Sequence, residues 1–518
     1  MPWIALLAYL IPLSLFTIAL GAIVTPGMRP RALLVSAKLL SVTALALAAT
    51  IALIVVFAGP ATSPLIGANG LGLQIRLDAL SAVMILLVSF IGAIVIRFSA
   101  TYLDGDARQG VFMGRMAMTL GFVMMLVLSG NVVQLVISWI GTSLSLHSLL
   151  MFYSDRPKAR LAVRKKFTVA RVGDLCLIGA SALLVTAFGT GEIAVLTEAA
   201  RTTEALPAGV PYAAGLLAIA ALLKSAQFPT HGWLTEVMET PTPVSALLHA
   251  GIINAGGFLI VRFGDVMLTS ATSLHLLILV GGLTAVIGSV VMLTQSSVKI
   301  GLAWSTIAQM GFMLMQCGFG AFSAAVLHIV AHSLYKAHAF LSSGSVVDLA
   351  RAKMGITPVT APTLTQAVAV LATVIATVVL IGAIFDVTLA TKPALVVLGA
   401  ILVMGLTHFL LASGTGVTLI RSAFAASGVA LLYFILQLGT EAVMASTLPA
   451  MPMPGLVTGL LMAAFTLIFA AVALAQILVP SHPRNPRVQA ARVWIANGFY
   501  INTLFSKLIA GKPAPAKS

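Results

Sequence analysis

The stretch Leu222-Leu223-Lys224-Ser225-Ala226-Gln227-Phe228-Pro229 ends an apolar run with a lysine and follows it with a proline. Proline removes a backbone donor and pushes the preceding residue out of helical geometry. The stretch therefore predicts a helix that breaks just after Lys224. A break at membrane depth frees carbonyls and admits water, a usual device of transporters. Without the break, Lys224 would simply snorkel to the interface. The break and the polar Ser225 and Gln227 favour the functional reading.

The membrane around this stretch follows from composition. Of 518 residues, 60% are hydrophobic and 8% charged. A soluble domain carries about 25% charged residues. Apolar runs of about 20 residues recur along the chain, each long enough for a hydrocarbon core of about 30 Å. They lack strand alternation and read as helices, which satisfy their own backbone in lipid. About fifteen spans are expected: 4–25, 32–58, 77–98, 113–129, 131–153, 167–189, 211–228, 243–263, 272–293, 300–317, 320–342, 363–386, 394–412, 418–438 and 456–479. They form one transmembrane domain over 1–480, followed by an amphipathic basic tail over 481–518. The first run lacks a basic flank and a small-residue cleavage site, and reads as a retained helix. Cys176 and Cys317 sit in apolar runs and read as small buried residues rather than disulfide or metal ligands.

The basic residues set an orientation. With the N-terminus outside, one side holds Arg29, Arg31 and Lys38; Arg97, Arg108 and Arg115; the run Arg156 to Arg171; Lys299; Arg351 and Lys353; Arg421; and six in the tail, in all 23 of the 29 Lys and Arg. The other side holds Arg76, Arg201, Arg262 and Lys392. Lys224 and Lys336 fall inside spans. This bias predicts a periplasmic N-terminus and a cytoplasmic C-terminus in an inner membrane. It also accounts for the net charge of +15 without nucleic acid. The dense run Arg156, Lys158, Arg160, Arg164, Lys165, Lys166 reads as a topology signal against anionic lipid, with a docking patch as the sharper alternative. In the tail, Trp494, Ile495, Phe499, Tyr500, Leu504 and Phe505 are spaced like one face of an interfacial helix. No stretch reads as a soluble domain, so chemistry on a soluble substrate would need another subunit.

Ionisable groups inside spans are functional candidates by default. His328, His332 and Lys336 are spaced four and four, on one helix stripe. Two histidines at i, i+4 suit a metal, but no acid or cysteine accompanies them and a lysine comes next. Imidazoles titrate near neutrality and can pass protons through water. A proton relay is therefore the stronger reading. His338 lies off the stripe, and Ser305, Thr306 and Gln309 on the preceding span could hold water beside it. His249 starts the span after Pro241-Thr242-Pro243 and, read alone, is a packing residue. Counter-charges for Lys224 are scarce: Asp174, Glu236 and Glu239 are the candidates. Asp78, near a span start after Arg76, reads as structural.

These residues resemble the proton-conducting membrane transporter family, which includes the subunit-5-like antiporter subunits of respiratory complex I and of multisubunit cation/proton antiporters. The match runs from Arg76-Leu77-Asp78-Ala79-Leu80-Ser81 to Asp348. Lys224-Ser225-Ala226-Gln227, Trp233, Met238, Pro241 through Ala250, Val298-Lys299, Trp304-Ser305-Thr306, Gln309-Met310-Gly311, His328 through Lys336 and Ser343-Gly344-Ser345 carry it. The resemblance implies proton translocation by Lys224, His249, His328, His332 and Lys336. It implies an all-α, antiporter-like fold with two inverted five-helix repeats and broken helices, here 113–263 and 272–412. Two departures stand out. The family glutamate after the tryptophan of the fifth span is Ile140, after Trp139. In the twelfth span the family lysine is loosely matched by an acid, Asp386. No long lateral helix is expected after the fifteenth span.

Ser143-Leu144-Ser145-Leu146-His147-Ser148-Leu149-Leu150, Phe152-Tyr153, Arg156-Pro157, Ala162 to Phe167 and Asn497-Gly498-Phe499-Tyr500 look like the DabB branch of that family. That branch implies the membrane subunit of an inorganic carbon pump. Its partner is a large cytoplasmic zinc protein resembling β-carbonic anhydrases, in which proton flow drives hydration of CO2 to bicarbonate. Zinc belongs to the partner, and no cofactor or catalytic centre is expected in this chain. His147 is an extra relay candidate that would offset the lost carboxylate; packing on Ser or Thr is the equal alternative. The competing readings are an antiporter-like subunit of a redox enzyme or cation/proton antiporter, and a scaffold with a dead proton path.

Overall fold

The computed structural model describes residues 2–153, 157–344, 364–412, 417–478 and 485–510. Of the residues singled out above, Arg156, Ser345, Asp348, Arg351, Lys353 and the ends of the tail lie outside these, as do the side chains of Lys158, Glu239 and Arg421. The chain is an integral membrane protein built of helices. Among the described residues, eleven helices are long and apolar enough to cross a membrane by length and composition. They include Arg31–Ala58, Ala79–Tyr102, Gln109–Val127, Val132–Leu150, Thr242–Arg262, Ala271–Met292, Val298–Gly318 and Leu456–Gln476. Phe322–Leu341 is not among the eleven, because His328, His332, Lys336 and His338 lower its hydropathy. Gly209–Lys224 is apolar but shorter. Outward-facing residues such as Ile23, Phe57, Leu175 and Leu467 are exposed, as lipid-facing positions would be.

Two helix pairs position the site. Pro157–Phe188 packs along Gly209–Lys224, and Ala271–Met292 packs along Val298–Gly318. The second pair meets backbone to backbone. A Cβ on Gly311 would stand 2.6 Å from Ala285 N and Gly281 O, so only glycine fits. One buried apolar cluster runs from Ala5 to Leu448, and a second joins Ile278, Met315 and Phe319 to Leu398, Phe434 and Phe465.

Three details depart from the sequence expectation. First, the connection before the third span is not plain loop. Ile66–Ala68 pairs antiparallel with Leu71–Leu73, and Ala61–Thr62 with Arg76–Leu77. Asn69 and Gly70, with φ of 53° and 74°, make the two-residue turn that such hairpins favour. Second, the helix expected from 167 begins at Pro157 and runs to Phe188. Lys165, Lys166 and Arg171 therefore sit on a helix wall rather than in a solvated loop. Third, the tail is two helices, Pro486–Ala496 and Ile501–Ala510, and not one. Phe499 and Tyr500 have left-handed φ of 56° and 58°, and the chain turns there.

At one end of the bundle a buried charge cluster ties four segments. Asp78 caps Ala79–Tyr102 through Ser81 in a reciprocal capping box. The same carboxylate pairs with Arg76 at 2.9 Å and with Arg262. Arg201 holds Asp265 through two hydrogen bonds of 2.9 and 3.1 Å. The Arg262 side chain is 1% exposed. Removing one partner of a buried pair costs about 3–5 kcal/mol, because the other charge stays buried. Asp78→Asn is expected to lower the thermal midpoint of the purified protein markedly. An unchanged midpoint would mean that Arg262 finds another counter-charge.

Candidate functional site

Lys224 closes its helix, and the chain then turns through Ala226, whose φ is 50°. The turn is held by polar groups. Ser225 Oγ donates to Ile253 O at 3.0 Å, Gln227 Nε2 donates to Ser225 O at 2.8 Å, and Thr284 Oγ1 accepts from Phe228 N at 3.1 Å. The Lys224 ammonium lies 4.3 Å from the centroid of the Trp139 ring and 3.5 Å from Trp139 O. Asp174, buried on Pro157–Phe188, is the carboxylate whose charge acts on Lys224, and Arg171 is paired with it at 2.7 Å. Lys224 lines a cavity of about 20 Å³ with Ser143, Lys166, Trp233 and Leu248.

The second half of the site surrounds a helix interruption that the sequence reading ran through as one span. Thr242–Ala250 ends at Gly251, and the turn Ile252–Asn254 precedes Ala255–Arg262. A helix C-terminus leaves carbonyls without intrahelical partners. His332 Nε2 reaches His249 O at 3.2 Å, and Asn254 Nδ2 donates to Ala250 O at 3.0 Å. Because a carbonyl only accepts, neutral His332 keeps its proton on Nε2 and presents Nδ1 as an acceptor. Asn254 Nδ2 also donates to Ser333 Oγ at 2.8 Å, a link across two helices that the sequence reading missed. His249 is fully buried and stacks on Phe340, 4.4 Å between centroids.

Lys336 is also fully buried, and donates to Ser305 Oγ at 2.8 Å and Leu302 O at 3.2 Å. The rings of His328 and His332 are 5.9 Å apart. Both face a cavity of about 660 Å³ that Ser305, Gln309 and Gln316 also line. Thus His332 meets His249 at the interruption, with Lys336 and His328 one turn to either side of His332 on Phe322–Leu341. Among the described residues, no three His, Cys, Asp or Glu side chains gather as metal ligands.

Between the two halves lies His231, another buried residue the sequence reading passed over. Its ring stacks on Phe228 at 5.1 Å and meets Trp304 at 4.9 Å. Trp304 precedes the Ser305 that holds Lys336. The signal was available in Pro229-Thr230-His231-Gly232-Trp233, directly after the break.

The remaining candidates fall elsewhere. Glu236 is not beside Lys224; it pairs with Lys165 at 2.5 Å and accepts from Asn502 Nδ2 at 2.8 Å. Lys165 is fully buried, so the nearest large cation takes that carboxylate. Asp386 is exposed, in the turn between Leu364–Ile384 and Pro393–Ala412, where its carbonyl accepts from Thr391 Oγ1. His147 is half-buried and edge-on to Phe167 at 5.5 Å, near the charges of Lys166 and Arg171. His338 is exposed. The tail meets the break directly: Asn502 bridges Lys165 and Glu236, and Gln295 Nε2 donates to Ala496 O at 3.1 Å. Hydrogen bonds to charged groups contribute about 1.5–3 kcal/mol. Asn502→Ala is expected to speed hydrogen exchange in Ile501–Ala510 while leaving Phe322–Leu341 unchanged. Equal exchange in both proteins would show that Asn502 does not anchor the tail.

Comparison with known proteins places this arrangement. The profile of the NADH:quinone oxidoreductase/Mrp antiporter transmembrane family matches residues 129–419, and that of the complex I chain 5 N-terminus matches 66–113. The probable inorganic carbon transporter subunit DabB2 of Halothiobacillus neapolitanus is 46% identical over 282 residues, covering 54% of this chain and 51% of that protein. The probable inorganic carbon transporter subunit DabB of Hydrogenovibrio crunogenus is 45% identical over 278 residues, 54% of each. The matches thus span about half the length of these curated relatives. A chain in the structure of the Mrp complex from a Dietzia species aligns with a TM-score of 0.65 and 26% identity, over 96% of this chain and 60% of that one. The family match covers more than half of the sequence and takes in Lys224, His249, His328, His332 and Lys336. This chain belongs to the NADH:quinone oxidoreductase/Mrp antiporter transmembrane family.

Proposed function

We propose that this chain is the proton-conducting membrane subunit of an energy-coupled inorganic carbon accumulation complex. The observation that supports proton conduction is buried His332 bonded to the His249 carbonyl beside the Gly251 interruption, with fully buried Lys336 one turn along the same helix. Such groups are costly in a membrane interior and are kept where they do work. Lys224 and Lys336 exchange a proton with their surroundings, His249, His328 and His332 relay it, and Asp174 compensates the charge at Lys224. Two inverted repeats, 113–263 and 272–412, frame this path, and the interruptions after Lys224 and at Gly251 both lie in the first. The basic bias puts the N-terminus in the periplasm and the C-terminus in the cytoplasm of a bacterial inner membrane.

The carbon substrate is supported by the relatives named as inorganic carbon transporter subunits and by the segment Ser143 to Phe167. Proton flux through this subunit then drives CO2 hydration in a large cytoplasmic zinc protein resembling a β-carbonic anhydrase. The zinc and the catalysis belong to that partner. The structural likeness to an Mrp complex chain favours, as the second reading, an antiporter-like subunit of a cation/proton antiporter or redox complex.

Purification of the tagged chain from its native membranes separates the two. The proposal expects a large co-purifying partner with stoichiometric zinc. A partner carrying iron–sulfur and flavin absorbance, or further antiporter subunits alone, would overturn it. In cells that need the complex to grow in air, Lys336→Ala is expected to abolish growth in air, with the complex still assembled and growth under added CO2 retained.

A further inference from the structure

Lys166 is the buried cation for which the path above has no use. It is 6% exposed and donates to Ser143 O at 2.7 Å and to Ser143 Oγ at 3.1 Å. It shares with Lys224 the walls of the 20 Å³ cavity. A cavity needs about 10–15 Å³ to take one water. This one has room for a single molecule against the two lysines.

The charges around the pair are few. Arg171 and Asp174 lie on the helix of Lys166, and the charges of Lys224, Arg171 and Asp174 all act on Lys166. His147 looks onto the same group from Val132–Leu150. Glu236, the next carboxylate, is taken by Lys165. Arg171 already pairs with Asp174 and touches Ser143 Oγ at 3.3 Å. Two charged lysines beside Arg171 would therefore set three positive charges against the one carboxylate of Asp174. Like charges in a low-dielectric site do not ionise together; one of them gives up its proton.

Each amine also has a holder for its charged form. Lys166 has the carbonyl and hydroxyl of Ser143. Lys224 has the Trp139 carbonyl and ring face. The two charged states are thus alternatives, each with its own acceptors.

We infer that Lys166 is the second proton carrier of the Lys224 site, and that one proton is exchanged between the two amines across the cavity. The step balances: the Lys224 ammonium loses a proton to a cavity water, which passes one to the neutral amine of Lys166. The exchange takes the place of the lysine–glutamate pair, whose glutamate position holds Ile140 here. This inference rests on the proton-path reading and specifies its first step.

The test uses the full chain with its co-purified partner in vesicles holding a pH-sensitive dye, with protons driven by a potassium diffusion potential. Lys166→Met and Lys224→Met are each expected to cut proton flux by about tenfold or more, and the double substitution is expected to fall no further. Lys166→Arg keeps the charge and the bonds to Ser143, but a guanidinium does not release its proton; flux is expected to stay as low as with methionine. Wild-type flux in Lys166→Arg would assign a fixed charge and overturn the inference, as would wild-type flux in Lys166→Met. Lys166→Gln keeps donors to Ser143 and serves if methionine disturbs assembly, with the same loss expected. Full flux in Lys224→Met would instead sink the proton path itself. Lost flux in Lys224→Met beside full flux in Lys166→Met would remove only the second carrier.

Discussion

An ammonium group inside an apolar bundle must find oxygen atoms or π electrons within about 3–4 Å, or it drives the helix that bears it out of the membrane. Intact helices have few such groups to offer, because their carbonyls are spent on their own hydrogen bonds. This fold supplies them from neighbouring helix carbonyls and hydroxyls, from the Trp139 ring face and, for His332, from a helix interruption. The interruption at Gly251 leaves the His249 carbonyl to His332, whereas the lysines take carbonyls and hydroxyls within neighbouring intact helices. Lys224 takes Trp139, Lys336 takes Leu302 and Ser305, and Lys166 takes Ser143. His332 takes the carbonyl of His249.

Much of this was legible where a single residue dictates geometry. Pro229 announces the break that follows Lys224. Spacing of four puts His328, His332 and Lys336 on one stripe in any helix. Asp78 reads as structural, and it is a helix cap carrying two arginines. Asn69-Gly70 carries a hairpin-turn signal in the stretch between the second and third spans, which the sequence reading left unassigned.

Other features were hidden because the sequence carries the same sign for different surroundings. A lysine in a basic cytoplasmic loop and a lysine on a buried helix wall look alike one-dimensionally. Lys165 and Lys166 therefore vanished into the positive-inside count, although both are buried. The pairing of Glu236 with Lys165 and Asn502 joins positions 71 and 266 residues apart, and no local pattern signals it. Asp386 was placed by loose alignment, and a left-handed turn leaves it exposed. The interruption at Gly251 was softened by the apolar residues on both sides, which read as one continuous span.

The two ends of the bundle are fastened differently. At one end, Asp78 and Asp265 lock arginines from distant segments. At the other, the tail rests on the break through Asn502 and lies along Trp304.

The glycine contact between Ala271–Met292 and Val298–Gly318 has a mechanical meaning. With Gly281, Gly288 and Gly311 pressed against facing backbone, neither helix can slide or rotate against the other without collision. The pair behaves as a rigid post carrying Ser305. The opposite wall of the large cavity is made of Leu398, Leu432, Tyr433, Leu436, Phe469 and Val472, side chains that can repack. Any widening beside His328 must therefore come from that wall, while the seat of Lys336 stays still.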